Sequence, residues 1–509
     1  MNSGISLSMI VRNEGKHLYE CLNSVKNVVD EIVIVDTGST DNTVEIAKSF
    51  NAKIFYFEWN DDFSAARNFA LKKCTGDWIL YLDADERLDE NSAKKIKSLT
   101  QTQQNVGYYC TIKNYDSEIQ RNHTIRYIRF FRNSPEAKFT GKVHEQITPS
   151  LEKLNYKFIH SDLLIHHIGY DISKEGKKQK AIRNLKLLLE DYNISENDYV
   201  LFQIGQSYFV LENFSDAKNT FLKLIEFKKP SKQLKAESFS YLAQISFNEF
   251  RNSEAEKFIN DAIKLNDAQP FYHLLLSKIH LRFNRIKEAK DELSKSIKLQ
   301  KDSLKTNAFN LQQVNLSNEE LLYYGLQLAF KSGDLNLKNK MLEELSKTNE
   351  IKFVEFLKKV ETQSFDLISD LTDYLNSVTQ FNISLLTHII SNYNNKVFAM
   401  NALSQLYQKF SNNPDVIKQY ALTLDNVNKT PDALKLFENN FDSIKSDPSS
   451  LLYLVMFYLK TAQNEKALEI LNTIENNFAQ FEEVVIKVRA FKEKFFRNVR
   501  LDKSEEPAY

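Results

Sequence analysis

Trp78-Ile79-Leu80-Tyr81-Leu82-Asp83-Ala84-Asp85 decides how the first third of this chain reads. Five apolar residues in succession suit a strand covered on both faces, and the run stops on two carboxylates one residue apart. Positions i and i+2 of an extended segment share a face, so both carboxylates can converge at the strand's end. Hard divalent cations such as Mg²⁺ accept one or two protein carboxylates and complete their shell with phosphate and water. A pattern this short also arises in ordinary surface turns, so its neighbours set its weight.

Upstream, strand-like and helix-like segments alternate. Ile5 to Val11 is apolar and ends at Arg12-Asn13-Glu14-Gly15. Leu18 to Val29 carries Leu18, Cys21, Leu22, Val25 and Val28/Val29 at helical spacing. Glu31 to Val35 is a second apolar run, broken by Asp36-Thr37-Gly38-Ser39-Thr40-Asp41-Asn42-Thr43. Gly38 gives that break backbone freedom, and Ser39 or Asp41 can cap the following helix. Lys53 to Phe57 reads as a third strand and Phe63 to Lys73 as a third helix. Such alternation predicts βαβ units with right-handed crossovers and a mainly parallel, Rossmann-like sheet. Ligands bind such sheets at the carboxyl ends of the strands. Asp36 and Asp83/Asp85 all fall there.

The later sequence obeys another rule. Eight of the 11 glycines lie at or before Gly176, leaving three for the last 333 residues. Scarce Gly, with eight Pro in the whole chain, favours long uninterrupted helices. Ala255 and Ala289 are 34 residues apart, as are Ala433 and Ala467, matching the tetratricopeptide period. In that repeat a small residue lets two helices pack closely. Gly205, Tyr208, Ala217 and Phe221 fall at offsets resembling the same consensus, as do Ala433 with Phe437 and Tyr458 with Ala467. Between about 300 and 410 the pattern degenerates, with Tyr324-Gly325 its best fragment. The expectation is an α-solenoid from roughly 180 to 500, each repeat burying its apolar face against its neighbours.

Several segments together resemble the family 2 glycosyltransferases of GT-A fold. They are Val35-Asp36-Thr37-Gly38-Ser39-Thr40-Asp41, Asp62-Phe63-Ser64-Ala65-Ala66-Arg67-Asn68, Leu82-Asp83-Ala84-Asp85-Glu86, Phe139 to Gln146 and His167-Ile168-Gly169-Tyr170. The likeness covers roughly the first 175 residues. With the helical repeats appended, the pattern looks most like the sublancin-type peptide S-glycosyltransferase branch. Motifs are also shared with lipopolysaccharide-core glucosyltransferases. The resemblance implies that Val11, Asn13, Glu14, Asp36, Arg67 and Asp83 serve the donor nucleotide, and that Asp85, His167 and Asp83 serve a metal, Mg²⁺ or Mn²⁺. Asp36 would lie beside the nucleoside. The family often has a second acidic residue next to it, where this chain has Thr37. His166 precedes His167, and strand alternation sends the two to opposite faces. Family 2 enzymes invert the anomeric centre by direct displacement, which needs a base for the incoming nucleophile. Glu145 is the first candidate and His144 the second, pointing apart if their segment is extended. Arg129 and Arg132 could steady phosphates or that loop.

Composition excludes some alternatives. The 67 basic and 67 acidic residues cancel, so no electrostatic footprint suggests nucleic acid. Cys21, Cys74 and Cys110 share no metal or redox spacing, which fits a reducing compartment. No apolar run approaches the length of a membrane span, and the N-terminus has no basic leader pattern. The expectations are therefore an α/β domain at 1–178, tetratricopeptide-like repeats at 179–300, degenerate repeats at 301–410, further repeats at 411–500 and a polar tail at 501–509. The function expected is a cytoplasmic, metal-dependent transferase. It would move a sugar from a nucleotide-sugar donor, UDP-linked, to a protein or peptide Ser, Thr or Cys side chain, with a homodimer formed through the repeats. Two readings compete: transfer to a glycolipid or polysaccharide precursor, and a non-catalytic repeat scaffold.

Overall fold

The computed structural model describes residues 4–116, 121–168, 174–306, 316–348, 350–362, 374, 378–379, 382–479 and 482–496. Gly169, Tyr170, the tail at 501–509 and parts of 301–410 lie outside them. An eight-stranded sheet has the order β3-β2-β1-β4-β7-β6-β8-β5. β1 (Ile5–Val11), β2 (Glu31–Asp36), β3 (Lys53–Tyr56) and β4 (Trp78–Tyr81) run parallel. Ile5, Leu7, Met9 and Val11 of the central β1 are almost wholly buried, at roughly 1.5–3 kcal/mol for each such side chain. Continuous apolar strands need cover on both faces. α1 (Leu18–Val25), α2 (Thr43–Ser49) and α3 (Phe63–Leu71) return the chain between them. Asp62 caps α3 by accepting from the Ala65 N–H at 2.9 Å.

Beyond β4 the sheet becomes mixed. β7 (Arg121–Arg132) pairs antiparallel with β4 and with β6 (Val106–Asp116), while β8 (Lys157–His167) runs parallel to β6. β5 (Glu86–Leu88) pairs antiparallel with β8, setting Glu86 opposite His167. Ile168 N–H also donates to the Asp85 carbonyl at 3.0 Å. Sheet pairing thus carries the end of β8 to the Asp-Ala-Asp turn, although some eighty positions separate them in sequence. Trp78 stacks on Phe130 with ring centroids 5.0 Å apart, joining the parallel and antiparallel halves through one core.

Helical hairpins follow. α6 (Lys174–Ile194) leads into α7 (Asp198–Val210) and α8 (Phe214–Ile225), the element numbers α4 (Glu90–Leu99) and α5 (Thr148–Lys153) belonging to the sheet domain. Ala217 and Phe221 on α8 are fully buried, and the Phe221 ring lies against Gly205 of α7. The expected small residues Ala255, Ala289, Ala433 and Ala467 are likewise buried. Left-handed residues close the turns between paired helices, among them Glu212, Gly333, Asn428 and Ala462. The fold is therefore a GT-A-like α/β domain followed by tetratricopeptide-like helices. The chain divides into two compact units. Unit one comprises Met1–Ile245, Phe258–His273 and Lys295–Leu316; unit two comprises Ser246–Lys257, Leu274–Ser294 and Ser317–Tyr509. Among the described residues no helix is long and apolar enough to cross a membrane.

Candidate active site

A cavity of about 780 Å³ opens at the carboxyl ends of β1 and β4, within unit one. Glu14, Arg67, Asp83, Asp85, His144, Glu145 and His167 all line it. At its floor two arginines and three carboxylates interlock. Arg67 Nη2 donates to Asp83 Oδ1 at 2.6 Å, and Arg67 Nε donates to Glu145 Oε1 at 2.5 Å. Arg129 Nη2 lies 2.7 Å from Glu86 Oε1 and 3.4 Å from Asp83 Oδ2. Both guanidinium groups rest near the Tyr81 ring, 5.4 Å and 4.5 Å from its centroid.

The charges explain the titration. Burial would raise the Asp83 pKa, but Arg67 and Arg129 outweigh it and hold the carboxyl well below its usual range. Burial disfavours the Arg67 charge, yet Asp83 and Glu145 raise its pKa above an already high value. Glu86 is 1% exposed, and burial pushes its pKa up to about 7 against the pull of Arg129. Glu14 is also lifted to about 7, first by burial and then by Asp85, Asp83 and Asp41. This acidic rim is where a cation would be most welcome.

Asp85 Oδ2 lies 3.1 Å from His167 Nε2, and His167 Nδ1 lies 2.7 Å from Asn114 Oδ1. Burial works against protonated His167, but Asp85 outweighs it and raises the pKa. His166 is directed elsewhere, its Nε2 3.4 Å from Asp89. Among the described residues no group of three or more His, Cys, Asp or Glu side chains forms a metal cage. The Asp85–His167 pair nevertheless fits a hard divalent cation, which needs few protein ligands when a diphosphate supplies the rest. Asn114 fixing the far ring nitrogen is the outer support that metal-binding histidines use.

The other candidates occupy the loops after β1 and β2. Asp36 is buried; its Oδ1 accepts from the Gly38 and Ser39 N–H groups at 3.0 Å. Its Oδ2 is buried with no hydrogen-bond partner among the described residues. Asp36 itself does not line the cavity, whereas Thr37 does. The Val11 carbonyl accepts from Thr37 N–H at 3.0 Å and Thr37 Oγ1 at 3.1 Å. Asn13, at φ +56°, spends its side chain on the Thr40 N–H at 2.8 Å. Arg132 donates to the Thr102 carbonyl at 3.1 Å, away from the acidic cluster.

His144 and Glu145 do not lie on an extended segment. Thr140 and Gln146 bridge each other, closing a short loop in which Gly141 has φ +99° and His144 φ +54°. The left-handed turn at His144 lets two adjacent side chains share one cavity. A non-glycine residue held there marks a constrained backbone. Helical elements complete the wall: Lys180, Arg183, Asn184 and Leu187 from α6, and Tyr199 from α7. The sequence reading missed all five, along with Trp59, Asp61 and the buried Glu86. Asn184 leaves a trace, since it interrupts the apolar stripe Ala181, Leu187 and Leu188.

Residues 6–162 match the family model "Glycosyl transferase family 2". A TPR repeat-containing protein of Synechococcus elongatus is 36% identical over 210 residues, covering 40% of this chain and 51% of that protein. The SPbeta prophage-derived glycosyltransferase SunS of Bacillus subtilis is 34% identical over 216 residues, covering 42% and 51%. The chain thus spans about half the length of the curated relatives it matches. The structure of S. aureus TarS aligns at 16% identity over 54% of this chain and 55% of that one, with TM-score 0.28. Over residues 6–162, the chain carries a glycosyl transferase family 2 domain.

Proposed function

We propose that this protein is a metal-dependent, inverting glycosyltransferase. It moves a sugar from a UDP-linked donor to a Ser, Thr or Cys side chain of a protein or peptide held by the helical repeats. One observation carries the reading: Asp83, Asp85, His167 and Glu145 face a single cavity at the carboxyl ends of parallel strands. Among the described residues the buried Oδ2 of Asp36 has no hydrogen-bond partner, which supports nucleoside binding, because a uracil N–H or ribose hydroxyl would satisfy it. Val11, Asn13 and Glu14 would shape the same donor end. Asp85 and His167, with Asp83 behind them, would hold Mg²⁺ or Mn²⁺. Bound there, the cation would offset charge gathering on the departing diphosphate.

In this mechanism Arg67 keeps Glu145 and Asp83 at fixed positions, and Glu145 receives the acceptor proton through Oε2, the oxygen not bonded to Arg67 Nε. Backside attack by the deprotonated Oγ or Sγ forms the glycosidic bond as the bond to the nucleotide breaks. His144 is the second candidate for the proton. The wall built by α6 and α7 supports a peptide acceptor, since the helical segment reaches the cavity itself.

Calorimetric titration of UDP into the full chain, with and without Mn²⁺ or Mg²⁺, tests the donor site. Metal-dependent binding in wild type that disappears in Asp85→Ala is expected. Binding indifferent to the ion, or unchanged by Asp85→Ala, would overturn the metal assignment. Peptide acceptors left unmodified while a glycolipid precursor is glycosylated would overturn the acceptor assignment.

A further inference from the structure

The apolar stripe of α6 contains one polar residue. Ala181, Leu187 and Leu188 are buried there, and Asn184 beside them is 5% exposed. Its amide is held at both ends. Arg183 Nε and Nη2 lie 3.3 and 3.2 Å from Asn184 Oδ1. A guanidinium can only donate, so the amide oxygen must face it and the NH₂ group must face away. On that other side stands His144, its Nε2 3.5 Å from Asn184 Nδ2. An NH₂ group also only donates, so Nε2 must present a lone pair. The ring's single proton then resides on Nδ1.

We propose that Arg183 and Asn184 are positioning residues which hold His144 as its neutral Nδ1–H tautomer, a hydrogen-bond donor in the cavity, leaving Glu145 as the proton acceptor. The inference rests on the glycosyl-transfer reading for its functional half alone; the tautomer follows from the contacts. The lone pair that would make His144 a base is already engaged by the amide. Burial lowers the His144 pKa, and the positive charges of Lys180 and Arg183 on α6 lower it further, against Glu145 beside it. Tyr199 of α7 faces the same residue, its hydroxyl 3.5 Å from the His144 carbonyl. The remaining restraints act on the loop backbone. Ser64 Oγ donates to the Gly141 carbonyl at 2.6 Å, the Lys142 carbonyl accepts from Phe63 N–H at 2.9 Å, and Lys142 N–H donates to Asp191 of α6 at 3.2 Å. The loop is therefore clamped between α3 of the transferase domain and α6 of the helical segment.

The test uses the full chain labelled with ¹⁵N-histidine, the His144 signals being assigned by their loss in His144→Gln. Two-bond ¹H–¹⁵N spectra are expected to report the Nδ1–H tautomer at neutral pH, titrating below the ordinary 6.5. Asn184→Asp exchanges a donor for an acceptor, so His144 should move its proton to Nε2 and titrate at least one pH unit higher. A wild-type Nε2–H tautomer, a charged His144 at pH 7, or an Asn184→Asp spectrum like wild type would overturn the proposal. Should Asn184→Asp fail to fold, Arg183→Gln serves instead, expected to free the amide and mix the two tautomers; an unmixed Nδ1–H signal would sink it. These spectra do not depend on turnover. Absence of metal-dependent UDP binding would therefore remove the transferase reading while leaving the tautomer result standing. Where UDP-sugar turnover is seen, Asn184→Asp should lower kcat with little change in the donor KM and shift the pH profile.

Discussion

Adding one methyl group at Gly205 should loosen the helical wall of the cavity, and the same change at Gly325 should not. A Cβ on Gly205 would stand 2.6, 2.8 and 3.0 Å from three atoms of the Phe221 ring. Optimal carbon contacts are about 3.5–4.0 Å, so the ring must retreat by close to an ångström. Retreat is blocked, because Phe221 is fully buried and stacked on Tyr241 at 4.8 Å with an 8° tilt. Overpacking of this kind costs about 1–3 kcal/mol, here near the upper end. Replacing glycine by alanine inside a helix returns about 1 kcal/mol. The net loss is thus about 2 kcal/mol for Gly205→Ala. At Gly325, in the helix Asn318–Ser332, the close neighbours are Met341 Sδ at 2.5 Å and Met341 Cγ at 2.9 Å. A thioether chain can re-rotamer, so the helical gain cancels the clash and Gly325→Ala stays within about 1 kcal/mol of wild type. Native-state hydrogen exchange reads each helix pair separately. Amides of α7 and α8 should lose about 30-fold in protection in Gly205→Ala, the equivalent of about 2 kcal/mol. Tyr199 on α7 meets Gln146 at 3.1 Å, so turnover should fall with that protection. Equal protection in Gly205→Ala and wild type, or a larger loss in Gly325→Ala, would refute the packing logic.

Three further perturbations probe the sheet domain. Arg67→Lys keeps the charge but cannot span Asp83 and Glu145 with one planar fork; kcat should fall on the order of 100-fold while UDP affinity by calorimetry changes much less. Asn114→Ala removes the oxygen fixing His167 Nδ1, and the metal-dependent part of UDP affinity should weaken by about 10- to 100-fold, with no loss of metal-independent binding. Glu31 is partly buried, which would raise its pKa, but Lys53, Ser6 and Thr75 donate to it and bring it down to about 2. A folded-state value below the unfolded one stabilises above about pH 4.5, and that contribution disappears as pH falls toward 2. Glu31→Gln should therefore cost about 2–3 kcal/mol at pH 7, allowing for solvent screening at the exposed Lys53, and urea melts of the two proteins should converge near pH 2. Parallel curves across that range would sink the assignment.

Local rules read the parallel half of the sheet well because the strands there carry apolar runs and end in loops with their own signals. Glu31–Asp36 and Trp78–Tyr81 are such strands. α1 closes at Val25 although its apolar spacing continues, because Lys26 to Val29 turn tightly and still bury Val28. Long-range pairings were beyond local reading. The antiparallel contact of β5 with β8 sets His167 near Asp85, and only a sheet register can do that. Arg67 could be singled out from its motif, but its partners Asp83 and Glu145 lie far along the chain. The turn at His144 was hidden for another reason: its left-handed φ occurs at a residue whose type does not demand it.

Asn184 ties these two kinds of information together. An amide inside an apolar helical stripe costs free energy unless its hydrogen-bonding groups are met. Within α6 Arg183 serves one end, and the loop after β7 supplies a partner for the other in His144. Val143 shares the apolar cluster of Leu187, Leu188 and Tyr192, so the loop is seated on the helix by both apolar burial and the amide. A sheet domain cut before α6 would therefore expose Val143 and leave the His144 turn without its support. The helical segment consequently belongs to the site in a physical sense: the loop bearing His144 and Glu145 is held by α6 as well as by α3.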